Sequence, residues 1–268
     1  MMNQDVININ RDKKKNRNRW DFLLMIFLLA AFIAICVVSE KWKNSLKVNR
    51  IIVHGSNILT AQNIFELAGV KLQTPLESIG IYEIRKRILH QPFIKSGLVM
   101  RHYPDAIDIN ITERIPIASV NNGNLNYIDT EQILLPSIES SSKLDLPIIS
   151  GVDSLHYYNI GEKINNTEIA TAINILQAAI AIDTTLYHFI SEINMNNGKD
   201  IILYSSDVGV PIILGRGDFE RKLLTLQTFW NNYVKPSNAK LLQYIDLRYN
   251  EQVVAKWRTE ELQSKAIL

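Results

Sequence analysis

The chain reads as an α+β protein behind an N-terminal transmembrane helix: a β-α-α-β-β unit, then a β-rich domain with two packing helices. Three observations carry this. Residues 22–39 are eighteen uncharged, mostly apolar residues, which as a helix reach about 27 Å, close to the hydrocarbon thickness of a bilayer. Residues 48–114 show strand-like and helix-like periodicities one after another. Beyond 117, short alternating segments separated by Gly, Asn and Asp turns dominate, with two stretches of helical spacing among them.

The first element is the span, taken as residues 21–40 after a basic tail at 1–20. Six Lys/Arg (Arg11, Lys13, Lys14, Lys15, Arg17, Arg19) stand against Asp5 and Asp12, so the tail carries +4 and the rest of the chain −2 of the formal +2 total. This asymmetry predicts a cytoplasmic N-terminus, although Lys41, Lys43, Lys47 and Arg50 follow the span. Trp20 and Trp42 flank it at interfacial depth. A cleaved signal peptide is the alternative; it fits less well because the apolar run is long and no A-x-A-like site follows.

Next comes a strand that opens at Val48 and closes at His54-Gly55. Thr60 is placed to cap a short helix whose Ala61, Ile64, Phe65 and Ala68 share a face and which Gly69 ends. Ile81, Ile84 and Ile88 mark a second helix, with Glu83, Arg85, Lys86 and Arg87 on its wet side. Two strands follow, Ile94–His102 and Ile107–Ile111, joined by Tyr103-Pro104-Asp105; in the second, Ile107, Ile109 and Ile111 point inward.

In the second half, Ile169, Ala172, Ile173, Leu176 and Ile180 predict an amphipathic helix after Asn165. Ile190–Met195, Asp200–Ser205 and Val210–Gly215 predict strands, separated by Asn196-Asn197-Gly198 and Asp207-Val208-Gly209. A later helix ends before Pro236, with Leu223, Leu226, Phe229, Trp230 and Tyr233 as its core face and Asp218 as its candidate N-cap. The chain closes on two short strands in "YIDLRYNEQVVAKW", residues 244–257.

Chemistry-bearing motifs are few. The single cysteine, Cys36, excludes an intramolecular disulfide and a CxxC pair. The five histidines are separated from one another, with no HExxH, GxSxG or phosphate-cradling glycine loop, so no metal or cofactor is expected. Ser140–Lys143 and Ser237–Lys240 satisfy SxxK without SDN or KTG companions, and both serines are expected in solvated loops. Arg216-Gly-Asp218 reads as a strand-to-helix turn, and the near-neutral body speaks against nucleic acid.

The β-α-α-β-β order, the opening "IIVHGSNILT", the close "LHQPFIKSGLVMRHYPDAIDINITERIPIA" and the single preceding span together resemble the polypeptide-transport-associated (POTRA) domain of the bacterial division protein family FtsQ/DivIB. The resemblance continues through "NLNYIDTEQILLP" (124–136), "VPIILGRGDFERKLLTLQTFW" (210–230) and "YIDLRY", and is weak over 137–165. It implies a POTRA domain at 48–116, an FtsQ-type β domain at 117–257 and a tail at 258–268. It further implies a non-enzymatic divisome scaffold in the cell inner membrane at the septum, with its body periplasmic. Two other readings stand beside it: a POTRA-containing outer-membrane assembly factor, although the sequence has one POTRA copy and no series of barrel strands, and a membrane-anchored hydrolase, although it lacks a triad.

The last strand has no sequence successor to cover it, so its backbone groups form a template for an incoming strand. The family resemblance implies the same edge as the docking site for FtsB, which travels with FtsL, and implies contacts from Arg248, Tyr249 and Trp257; other division proteins are expected at the POTRA domain. With Val253 and Val254 on the strand, these five residues are the expected partner-binding set, and Val254→Pro is expected to remove a ladder donor and block augmentation. Packing alone is the competing account of Tyr249 and Trp257.

Overall fold

The protein is described from a computed structural model covering residues 9–138, 144–153, 155–237, 239–250 and 252–258, with side chains from residue 20 onward except Asn44. Ser140 and Lys143 of the first SxxK spacing, and residues 259–268 of the expected tail, lie outside the described residues. Helix α1 (Ile9–Ser45) contains the stretch Trp20–Lys43, long and apolar enough to cross a membrane and with none of its apolar window buried inside the protein. Exposed Phe22, Leu23, Leu24, Phe27 and Phe32 would cost heavily in water, so this surface suits lipid. Cys36 is one of its exposed residues.

The chain divides into two compact units, residues 1–88 with 96–112, and residues 89–95 with 113–268. The first contains β1 (Arg50–His54), α2 (Ala61–Ala68), α3 (Ile81–Leu89), β2 (Ile94–His102) and β3 (Ala106–Glu113), although the start of β2, the end of β3 and Leu89 fall in the second unit. The sheet order is β1-β3-β2, with β1 parallel to β3 and Ile51 and Val53 opposite Ile107 and Ile109. Thr60 caps α2 through a reciprocal capping box with Asn63, and Gly69 ends it in the left-handed region at φ 58°. Ile64, Ala68, Ile84 and Ile88 are buried with Ile107, Ile109 and Ile111, whereas Ala61 is exposed. Arg101 reaches the carbonyls of Leu76, Glu77 and Ile79 at 2.9, 3.2 and 2.8 Å, satisfying the turn before α3.

The second unit is built on a nine-stranded sheet in the order β12-β11-β10-β9-β8-β7-β4-β5-β6. Its strands are β4 (Pro116–Asn121), β5 (Leu125–Asp129), β6 (Leu134–Leu135), β7 (Ile148–Ser150), β8 (Ile190–Asn194), β9 (Ile202–Ser205), β10 (Pro211–Ile213), β11 (Leu242–Asp246) and β12 (Val254–Trp257). The stretch of weak resemblance supplies β7, which lies parallel to both β4 and β8 in the middle of the sheet. Only three residues long, it shows no usable periodicity in the sequence.

Helices α4 (Thr167–Ile182), α5 (Thr184–Phe189) and α6 (Phe219–Phe229) cover the sheet face that carries Ile193, Leu203, Ile212 and Ile245. The six-residue α5 joins the two expected helices; Asp183 starts it by accepting from the Thr185 N–H at 2.8 Å. Asn166 caps α4 in the same way. On α4 the expected Ile169, Ala172, Ile173 and Leu176 are buried, joined by Ile175 and Ala179, whereas the expected Ile180 is 40% exposed.

Two expectations for α6 are corrected. Asp218 sits before the helix in the left-handed region at φ 53°, where its side chain makes no cap; it pairs instead with Arg221 at 2.9 Å. Beyond Phe229 the helix widens into one π turn, Trp230–Val234, with the Lys235 N–H donating to the Trp230 carbonyl. The wider turn buries Trp230 and Val234 and leaves Tyr233 at 63% exposure, stacked on Phe229, so Tyr233 is not a core residue.

Candidate functional site

Strand β12 is the terminal strand of the sheet, antiparallel to β11, with Asp246 opposite Val254, Ile245 opposite Ala255 and Tyr244 opposite Lys256. Its backbone polarity follows from two hydrogen bonds. The Arg258 N–H donates to the Leu241 carbonyl, and the Leu247 N–H donates to Ile213 on β10. Because N–H and C=O alternate sides along a strand, Val254 and Lys256 point their backbone groups at β11, while Ala255 and Trp257 point theirs outward. The Val254 N–H is therefore a donor to the intramolecular ladder, and the outward donors of this edge belong to Ala255 and Trp257.

Side chains alternate the other way. Val253, Ala255 and Trp257 turn toward the helix-covered face and pack against the core, and Val254 and Lys256 stand on the open face. Trp257 is half-buried opposite Leu242, Val254 is 40% exposed and Tyr249 is 55% exposed. Tyr249 also lines a hollow of about 120 Å³ with Arg221, Lys222, Thr225, Leu247 and Gln252.

Arg248, its side chain 42% exposed, is held by two carboxylates. Its Nε lies 3.0 Å from Asp246 Oδ1, its Nη2 2.6 Å from Asp246 Oδ2 and its Nη1 2.9 Å from Asp200 Oδ2. The Asp246 carboxylate, only 7% exposed, also accepts from the Arg248 backbone N–H at 3.0 Å. The Arg248 side chain holds the Asp246 carboxyl below the ordinary aspartate range although burial pushes it up, and the two carboxylates raise the arginine further. Lys222 donates to the carbonyls of Leu214 and Arg216 at 2.9 and 3.1 Å, with its ammonium lowered by burial.

Of the five expected contact residues, Tyr249 and Val254 are exposed, and Trp257 turns its backbone groups outward, as its neighbour Ala255 does. Val253 and the Trp257 ring back onto the core, and Arg248 is engaged by two carboxylates. The engagement of Arg248 was not readable from sequence, because Asp200 lies 48 residues away. The second SxxK serine, Ser237, is exposed and follows the π turn. Among the described residues no group of three His, Cys, Asp or Glu is placed to hold a metal.

An apolar helix able to cross a membrane, a β-α-α-β-β unit and a β domain whose described sheet ends at β12 define a membrane-anchored POTRA protein. Residues 46–114 match the family model for the POTRA domain, FtsQ-type, and residues 115–256 match that for FtsQ/DivIB, C-terminal related. The chain belongs to the FtsQ/DivIB family of cell division proteins. It is similar to the cell division protein FtsQ of Geotalea daltonii, 29% identical over 212 residues that cover 78% of this chain and 75% of that protein. FtsQ of Syntrophotalea carbinolica is 27% identical over 219 residues (82% and 77% covered), and FtsQ of Rhodothermus marinus 26% over 250 residues (91% and 89%). Among the described residues one helix is long and apolar enough to cross a membrane, and with the family this makes the chain a single-pass membrane protein of cell division.

Proposed function

We propose that this protein is a non-enzymatic scaffold of the division machinery that receives a strand of an FtsB-type partner, accompanied by an FtsL-type protein, along the outer edge of β12. In this reading the N-terminus is cytoplasmic, the β domain lies outside the inner membrane at the septum, and the POTRA domain takes further division proteins. What supports it is the outer side of β12, with which no strand pairs among the described residues: Ala255 and Trp257 turn their backbone groups outward there, and Tyr249, between β11 and β12 in the chain, is exposed. An incoming strand gains main-chain hydrogen bonds there, while Tyr249, Val254 and the rim of Trp257 supply side-chain contact, with Val253 and Arg248 behind them.

The test is in-cell photo-crosslinking. A photoreactive phenylalanine at Lys256, exposed on strand β12, is expected to give a covalent product with the FtsB-type protein, and the same residue at Ile180 on α4 is expected to give none. Equal yields from both positions, or none from Lys256 in dividing cells with normal protein levels, contradict the reading.

A further inference from the structure

Three places in the second unit meet at one arginine side chain. Asp200 precedes β9, Gly215 follows β10, and Asp246 ends β11 with Leu247 and Arg248 after it. The Arg248 side chain bonds the first and last of these, and its stem fills the space over the second. Gly215 has φ +66°, and a Cβ there would lie 2.8 Å from Arg248 Cγ, so the arginine occupies room that only glycine leaves open.

The same strands are tied by backbone. The Leu214 and Gly215 N–H groups donate to the Ile201 carbonyl at 2.9 and 3.1 Å, and the Leu247 N–H to Ile213 at 2.9 Å. Farther along the connection from β11 to β12, Arg221 of α6 donates to the Asn250 side chain at 3.0 Å. The connection is thus pinned from below by Arg248 and from the side by Arg221, with the exposed Tyr249 between the two pins.

We infer that Arg248 is a positioning residue: it fixes residues 247–250, and with them Tyr249 and the approach to β12. Three of its five N–H groups already face Asp246 and Asp200. Removing the guanidinium leaves the buried Asp246 carboxylate unpaired, and that penalty falls on the connection that presents the edge. The role in docking rests on the edge reading above; the positioning itself does not.

The experiment is hydrogen–deuterium exchange of the full chain in lipid nanodiscs without partner, comparing the native protein with Arg248→Ala, Arg248→Lys and Asp200→Asn. Peptides covering 247–258 are expected to exchange about tenfold faster in Arg248→Ala, with α4 peptides unchanged. Arg248→Lys should restore only part of the protection, because one ammonium does not span two carboxylates in the bidentate way. Asp200→Asn, a half-exposed site away from β12, should speed the same peptides by a few fold. Unchanged exchange over 247–258 in both Arg248→Ala and Asp200→Asn overturns the inference, and if Arg248→Ala loosens the whole domain, Asp200→Asn alone decides. Absence of an FtsB crosslink at Lys256 would count against the edge reading and leave this exchange pattern standing.

Discussion

The Tyr187 hydroxyl on α5 donates to the backbone carbonyl of Ile117 on β4 at 3.0 Å inside the core, seventy residues apart in the chain. Burial, helped by Asp145, pushes the phenol up to about 12. Since the folded pKa lies above the unfolded value near 10, the stabilisation is complete below about pH 10 and is lost as the pH rises toward 12. Tyr187→Phe should cost about 1 kcal/mol at neutral pH and flatten the alkaline fall in melting temperature between those limits. Thermal melts across that range check both.

Acid stability has a different origin. Glu131 pairs with Lys95 and with Arg114 at 2.7 Å each, and these partners, Lys95 first, lower its carboxyl to about 2. A depressed carboxylate stabilises the fold above its unfolded pKa near 4.5 and loses that contribution as the pH falls toward 2. Glu131→Gln should therefore melt lower than the native protein at pH 6, and the two curves should converge near pH 2. High salt should narrow the gap, because the carboxylate is exposed.

In the first unit, Gly55 turns the chain after β1 at φ +84°, directly against the Ile111 carbonyl. A methyl group there would collide with backbone that cannot move without breaking β3. Gly55→Ala should destabilise this unit by more than about 2 kcal/mol, while proteolysis of the second unit stays unchanged.

Tyr249 and Trp257 should separate in a binding and melting assay. Tyr249 is exposed, so Tyr249→Ala should weaken partner binding by at least about 2 kcal/mol with an unchanged melting temperature. Trp257 packs on the core opposite Leu242, so Trp257→Ala should weaken binding and also cost about 2 kcal/mol of stability, roughly half that of a fully buried tryptophan.

How much of this was legible in sequence depended on the range of the signal. Thr60, Gly69 and the isoleucines of β3 act locally, and their spacing announced the elements they build. The β7 strand and the six-residue α5 are too short to show a period and exist because neighbours hold them. Tyr233 misled because a π turn shifts the helical phase, and a 3.6-residue count cannot see that insertion. At the edge, the last strand was readable but its polarity was not: which of Val254 and Ala255 faces outward depends on pairing with β11. The Arg248 contact was expected from the family resemblance alone; its pairing with Asp200, 48 residues away, forms only in the folded sheet and left no sign in the sequence.

The central claim is that β12 docks a partner strand through its outward backbone, and one substitution addresses it most directly. Ala255→Pro removes an outward donor while sparing the Val254 and Lys256 bonds to β11, a position where an edge strand tolerates proline. Titrating the full chain in nanodiscs with the extracytoplasmic segment of the FtsB-type protein, the account predicts binding weakened at least about tenfold at a melting temperature within a few degrees of the native value. Unchanged affinity for Ala255→Pro would contradict it.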